Sequence, residues 1–207
     1  MDRTALQSLF DLTGRTAIVT GGTRGIGRAI AEGFVCAGAD VVVASRKAEA
    51  CAEAEAQLRS LGGGDAIGVP THMGDINALD ALVAATVDRF GGVDILVNNA
   101  ATGLTAPIGE FTPAVWDKQF EVNLRGPVFL IQAALPHLER SAHASVINVI
   151  SAGAFLASSN VAMYAAAKAA LMSFTRSMAA GLAPKGIRVN ALAPGTVDTD
   201  MVRANPP

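Results

Sequence analysis

Charge is scarce in this sequence. Charged residues fill 16% of its 207 positions, against 51% hydrophobic. That balance demands a large packed core and excludes a disordered chain. The formal net charge is −2 and the sequence pI is near 5.9, so no basic excess marks a nucleic-acid partner. Long apolar runs are missing: nowhere do about 18 apolar residues follow one another, so no membrane span is expected. The opening MDRTALQSLFDLTGR is too polar for a signal peptide. The two cysteines, Cys36 and Cys51, form neither a disulfide framework nor a metal spacing. They read as small core or helix residues in a reducing compartment, which makes the cytoplasm the default location. His72, His137 and His143 lack ligand spacing, so no metal is expected. With no repeat, linker or low-complexity segment in view, residues 1–207 read as one domain.

What is present is an alternation. Short β-branched runs at 17–20, 41–44, 66–69, 93–97, 145–150 and 187–190 are continuously apolar, as strands buried on both faces are. Helical patterns separate them. The first opens at a glycine-rich turn, with Ile26, Ile30 and Phe34 on one face. The second covers about 47–61. The third follows Asp75 as N-cap and runs to Phe90 before Gly91. The fourth has Thr112 as N-cap and Pro113 at its first position, and continues towards Leu138. The fifth spans about 161–182. Strict β/α alternation predicts a Rossmann-type, doubly wound parallel sheet of about six strands with helices on both faces. Ligands of such sheets bind at the carboxyl ends of the strands.

The first strand ends in Thr20-Gly21-Gly22-Thr23-Arg24-Gly25-Ile26-Gly27 and a helix follows. Free N–H groups and the positive dipole end at a helix N-terminus suit a pyrophosphate; an ordinary tight turn is the plain alternative. The second strand ends Ser45-Arg46-Lys47, without the acid that usually binds a ribose 2′-hydroxyl. Ser45, Arg46 and Lys47 can instead hold a 2′-phosphate, with Arg24 reaching it from the other side. That favours NADP(H) over NAD(H), unless the two cations only open the second helix in solvent. The fourth strand ends in Asn98-Asn99-Ala100-Ala101, where paired amides can tie adjacent loops and shape a cofactor wall.

Tyr164, the only tyrosine, and Lys168 are four apart in a predicted helix and share a face. A free phenol has a pKa near 10. A nearby ammonium stabilises the phenolate, so the lysine is expected to lower it. Tyr164 then protonates a carbonyl oxygen as hydride reaches carbon, or takes the proton back in reverse. An amphipathic helix with a solvated lysine is the alternative. Ser151, at the end of the fifth strand, can orient the substrate oxygen or merely cap a turn. Pro127 has no N–H for the carbonyl of Asn123, four residues back. Either that oxygen is freed for a water leading to Lys168, or the proline simply breaks the helix in two.

Taken together, the GxxxGxG turn, Asn-Asn-Ala, Asn123, Ser151, Tyr-x-x-x-Lys and Pro194-Gly195-Thr196-Val197-Asp198-Thr199 resemble the short-chain dehydrogenase/reductase family, in order, from Thr20 to Thr199. The Val-Val-Val-Ala-Ser-Arg-Lys run resembles its NADP-dependent carbonyl and retinol reductases; 3-oxoacyl-carrier-protein reductases are close relatives. The resemblance implies a Ser151-Asn123-Tyr164-Lys168 tetrad, with the Asn123 carbonyl in a proton relay. It implies that Pro194, Gly195, the Val197 backbone and the Thr199 hydroxyl border the nicotinamide, and that His72 and Met73 stand beside the adenine. His72 occupies a place where the family often has Asp, so it either contacts the base or is a loop residue. Ala101 replaces the family's glycine and is expected to perturb its loop slightly.

The implied function is hydride transfer between NADP(H) and a small-molecule ketone, aldehyde or secondary alcohol. Leu104, Phe155, Leu156 and Met163, as expected pocket residues, favour a neutral or lipophilic one. Family helices equivalent to the fourth and fifth here pair between subunits, which implies a homo-oligomer. The family's substrate-covering helices, seventh strand and last glycine-rich segment are absent from these residues. That leaves the sixth strand at a sheet edge and favours a dimer. It also keeps open the alternative of a non-catalytic or impaired NADP(H)-binding protein.

Overall fold

The computed structural model describes residues 2, 5, 8–157 and 159–204; the final Pro207 lies outside them. Among the described residues six parallel strands form one sheet in the order β3-β2-β1-β4-β5-β6. They are β1 (Thr16–Thr20), β2 (Asp40–Ser45), β3 (Ala66–Pro70), β4 (Ile95–Asn98), β5 (Ser145–Val149) and β6 (Arg188–Leu192). The order reverses between β1 and β4, the switch point where strand-end loops splay apart. β3 and β6 are the edges, and four of the five residues of β6 are exposed.

Alternate residues of each strand point to opposite faces, and both faces are covered. Ile18, Val42, Leu96 and Val146 stand in register across the sheet and belong to one core cluster. Against it pack α3 (Ile76–Phe90), α5 (Gly126–Leu138) and part of α6 (Ala162–Leu182). Their neighbours Ala17, Val19, Val41, Val43 and Val97 face the other cluster. That side carries α1 (Gly25–Cys36) and α2 (Ala48–Leu61). Strands buried on both sides explain why the runs are continuously apolar. No helix among the described residues is long and apolar enough to cross a membrane.

Helix ends follow local chemistry. Asp75 caps α3 by accepting from the N–H groups of Asn77 and Ala78, and Gly91 closes it in the left-handed region. Thr112 caps α4 (Pro113–Phe120) by accepting from the Val115 N–H. At Pro127 the chain does not break into two separate helices: Glu121–Arg125 forms a π turn, in which the Gly126 N–H donates to the Glu121 carbonyl, and α5 follows directly. The wider turn carries helical bonding up to a residue that has no N–H to give.

A buried polar ladder joins the strand ends to α6. Asn98 Nδ2 donates to Asn148 Oδ1 at 2.9 Å. Asn148 Nδ2 donates to Thr175 Oγ1 at 2.9 Å, and Thr175 donates to the Leu171 carbonyl at 2.7 Å. This ladder fixes the height of α6 against the sheet. Thr175→Val strands the Asn148 amide in the interior and should cost about 1–3 kcal/mol, whereas Thr175→Ser should recover most of it. Urea unfolding measures both; a valine variant as stable as the parent rules out this role for the ladder.

Candidate active site

A cleft of about 1040 Å³ runs along the carboxyl ends of the strands. At one end lies the glycine turn. Gly21 has φ +64°, and a Cβ there would sit 2.9 Å from Asn99 Nδ2. At Gly27 a Cβ would come within 2.3 Å of both Asn99 Nδ2 and the Gly21 carbonyl. Glycine is therefore required for the backbone to fold this tightly. Asn99 Nδ2 donates to the Thr20 and Gly21 carbonyls at 2.9 and 3.3 Å. The Asn99 and Ala100 N–H groups both reach Thr20 Oγ1 at 3.0 Å. The tandem asparagines thus tie loops together as expected, Asn99 to the first loop and Asn98 to β5. Ala101 does not take up a positive φ: among the described residues no non-glycine does.

No side chain caps the first turn of α1, so its N–H groups remain available for an anion. Gly21, Thr23, Arg24, Gly25 and Ile26 line the cleft, while Gly27 sits behind them as a packing residue. Ser45 and Arg46 line it from β2, and Arg46 has no ion-pair partner among the described residues. Lys47 does not line it: the residue is exposed and precedes α2. Arg24 lies 3.6 Å from Asp200. His72 lines the cleft as an exposed residue whose Nδ1 accepts the Gly74 N–H at 3.1 Å, and Met73 is buried beside it. The uncapped helix turn and the glycine cradle fit the pyrophosphate of a dinucleotide.

At the other end Tyr164, Ser151 and Lys168 meet. The Ser151 side chain lies close enough to Tyr164 to act on the phenol, and Ser151 Oγ accepts the Gly153 N–H at 3.1 Å. Lys168 is 1% exposed. Its Nζ donates to the Val149 carbonyl at 2.8 Å and stands 5.8 Å from the centre of the Tyr164 ring. Burial pushes the ammonium down from 10.5 to about 8. The phenol departs from expectation. Its pKa is raised by burial, with the neighbouring Ser151 side chain working against this. The Lys168 ammonium, bonded to the Val149 carbonyl, does not offset that burial.

Asn123 is fully buried and does not line the cleft. Its Oδ1 accepts from the Thr102 N–H at 3.0 Å and its Nδ2 donates to the Thr102 carbonyl at 2.8 Å. One turn earlier, Gln119 Oε1 accepts from the Leu104 N–H at 3.3 Å. The two side chains latch the 101–105 loop, which forms a cleft wall, to the α4 and π-turn segment. Gln119 was missed in the sequence, although its four-residue spacing from Asn123 marks the same helix face. Of the four expected pocket residues, Leu104 and Leu156 line the cleft. Phe155 does not, and is 61% exposed; Met163 turns inward and is buried. Lys118 and α7 (Asp200–Ala204) line it unforeseen. Pro194, Gly195, Val197 and Thr199 line it as expected.

The family sequence model described as short chain dehydrogenase matches residues 15–207. A "Dehydrogenase/reductase SDR family member 4" from Homo sapiens is 39% identical over 93% of this chain and 69% of its own length. A "Short-chain dehydrogenase/reductase SDRA" from Arabidopsis thaliana is 43% identical over 91% of this chain and 73% of its own. A solved short chain dehydrogenase from Burkholderia cenocepacia, in complex with NADP, superposes with a TM-score of 0.87 at 37% identity, over 92% of this chain and 77% of that one.

The buried lysine has a measurable consequence. Its folded pKa lies below its unfolded one, so between about pH 8 and about pH 10.5 the unfolded chain binds the extra proton and stability rises with pH. Below that window both states are protonated and a burial cost of about 3 kcal/mol remains. Relative to Lys168→Met, the ligand-free protein should gain about 2 kcal/mol between about pH 7 and about pH 9.5. Parallel stability curves for the two proteins in a denaturant series would contradict this.

Proposed function

The chain belongs to the short-chain dehydrogenase/reductase family, and on that premise we propose that it moves hydride between NADP(H) and a neutral or lipophilic ketone, aldehyde or secondary alcohol, with Tyr164 as the acid/base. It is an NAD(P)-dependent oxidoreductase. The observation that carries the finer reading is the convergence of Tyr164, Ser151 and Lys168 at one end of a cleft whose other end is the glycine turn.

The raised phenol pKa keeps Tyr164 protonated in the ligand-free protein, so its hydroxyl is a loaded acid for a carbonyl oxygen. Ser151 stands beside the same phenol and offers a second donor to that oxygen. As the proton leaves, the buried Lys168 cation opposes the negative charge on the phenolate. The fixed position of Lys168 against Val149 makes this stabilisation preorganised. Asn123 supports the site by latching Thr102, and its backbone carbonyl is the candidate acceptor for a water leading to Lys168. When bound, the nicotinamide supplies or accepts the hydride at carbon.

Ser45, Arg46 and Arg24 would hold the 2′-phosphate, and the absence of an acid at the end of β2 supports NADP(H) over NAD(H). The NADP complex of the Burkholderia relative agrees with this choice. The apolar residues Leu104, Leu156, Val161 and Val197 in the cleft support a lipophilic substrate. Exposed Phe129 on α5 and Phe174 on α6 support pairing of those helices between copies of the chain.

Tyr164→Phe should leave NADPH affinity almost unchanged while lowering turnover by roughly 100-fold or more, the usual reach of general acid catalysis. Carbonyl reduction followed at saturating NADPH tests this, and near-normal turnover would remove Tyr164 from the mechanism. Ser45→Asp places a carboxylate where the 2′-phosphate is held. It should weaken NADPH binding roughly tenfold or more and favour NADH; an unaltered ratio of the two affinities counts against the NADP(H) assignment.

A further inference from the structure

We propose that Asp200 tunes the preference for NADP(H) by competing with the cofactor's 2′-phosphate for the Arg24 guanidinium. The inference rests on the reading of Arg24 as a phosphate ligand. Arg24 is the N-cap residue of α1 and Asp200 the first residue of α7, and both line the cleft. The glycine turn and the segment leading into α7 are in close contact: a Cβ at Gly25 would lie 3.2 Å from the Thr199 methyl.

Three features make the Arg24–Asp200 pair exchangeable. First, it is loose. The 3.6 Å separation exceeds the roughly 2.7–2.9 Å of a bonded guanidinium–carboxylate pair, and the two side chains are 69% and 62% exposed. Second, the rival ligand is stronger. A phosphate monoester carries close to two negative charges and three acceptor oxygens, whereas a carboxylate carries one charge and two oxygens. Third, Asp200 has somewhere to go. Arg203 Nη1 lies 4.0 Å from its carboxylate and is otherwise held by Asp198 at 2.7 and 2.9 Å. Releasing Arg24 therefore leaves Asp200 beside another cation.

The asymmetry between cofactors follows. NADH has no 2′-phosphate, so Arg24 remains with Asp200 and binding is indifferent to the pair. NADPH must displace the carboxylate and also tolerates its charge on the cleft wall. Asp200 thus lowers a preference that Arg24, Ser45 and Arg46 set.

The test is direct titration of NADPH and NADH into the parent protein, Asp200→Asn, Arg24→Ala and the double variant. Asp200→Asn should tighten NADPH roughly two- to fivefold at low ionic strength, the range of an exposed ion pair, and leave NADH unchanged. The gain should vanish in the Arg24→Ala background and shrink with added salt. Two results overturn the proposal alone: an unchanged NADPH affinity in Asp200→Asn while Arg24→Ala weakens it, or equal tightening of both cofactors. If Arg24→Ala leaves NADPH affinity untouched, Arg24 is not a phosphate ligand, and this proposal falls together with that part of the NADP(H) reading.

Discussion

An ammonium taken out of water destabilises a protein by several kcal/mol unless nearby groups meet it. Lys168 is in that position, with the Val149 carbonyl at 2.8 Å as its hydrogen-bond acceptor and the Tyr164 ring beneath it. Much of the candidate catalytic end is arranged around holding that cation still. One short stretch at the end of β5 does most of it. Asn148 reaches Thr175 of α6, Val149 receives Lys168, and Ser151 meets Tyr164. A single strand end therefore grips α6 at three levels, over more than two helical turns. The Asn98–Asn148 bond passes the same constraint to β4, whose next residue, Asn99, holds the glycine turn. The two ends of the cleft are thus joined through adjacent asparagines.

The legible parts of this architecture were those set by local chemistry. Buried parallel strands must be apolar throughout, so all six runs could be read. Asp75 and Thr112 cap helices through bonds two or three residues away, a distance that sequence displays. Tyr164 and Lys168 share a helix face by spacing alone. The glycine turn was legible because a Cβ at Gly21 or Gly27 has no room, whatever the rest of the chain does.

The parts that escaped depend on contacts between distant segments. The latch from Gln119 and Asn123 to the 101–105 loop spans 15 and 21 residues. Phe155 and Met163 have the apolar character of pocket residues, yet each adjoins the residue that does line the cleft, Leu156 and Tyr164. A one-residue step on a helix or in a turn swings a side chain to a different side, and composition does not reveal which. The π turn escaped for another reason: Pro127 signals a missing donor, but several backbone paths can accommodate that loss. The direction of the phenol's shift depended on whether burial or the lysine charge dominates, which only the position of Nζ relative to the hydroxyl decides.

That last point bears on which direction of chemistry the ligand-free site is prepared for. At neutral pH Lys168, with its pKa near 8, is charged, and Tyr164 keeps its proton. The resting pair carries one positive charge and one available proton, which is the state carbonyl reduction consumes. Alcohol oxidation needs the phenolate instead, and the lysine alone does not bring the phenol down to meet it. Further positive charge has to arrive with the ligands, and an oxidised nicotinamide carries one where a reduced one does not. The raised pKa of Tyr164 therefore does not conflict with its proposed role as acid/base. On that proposal the redox state of the cofactor biases whether the tyrosine serves as acid or as base.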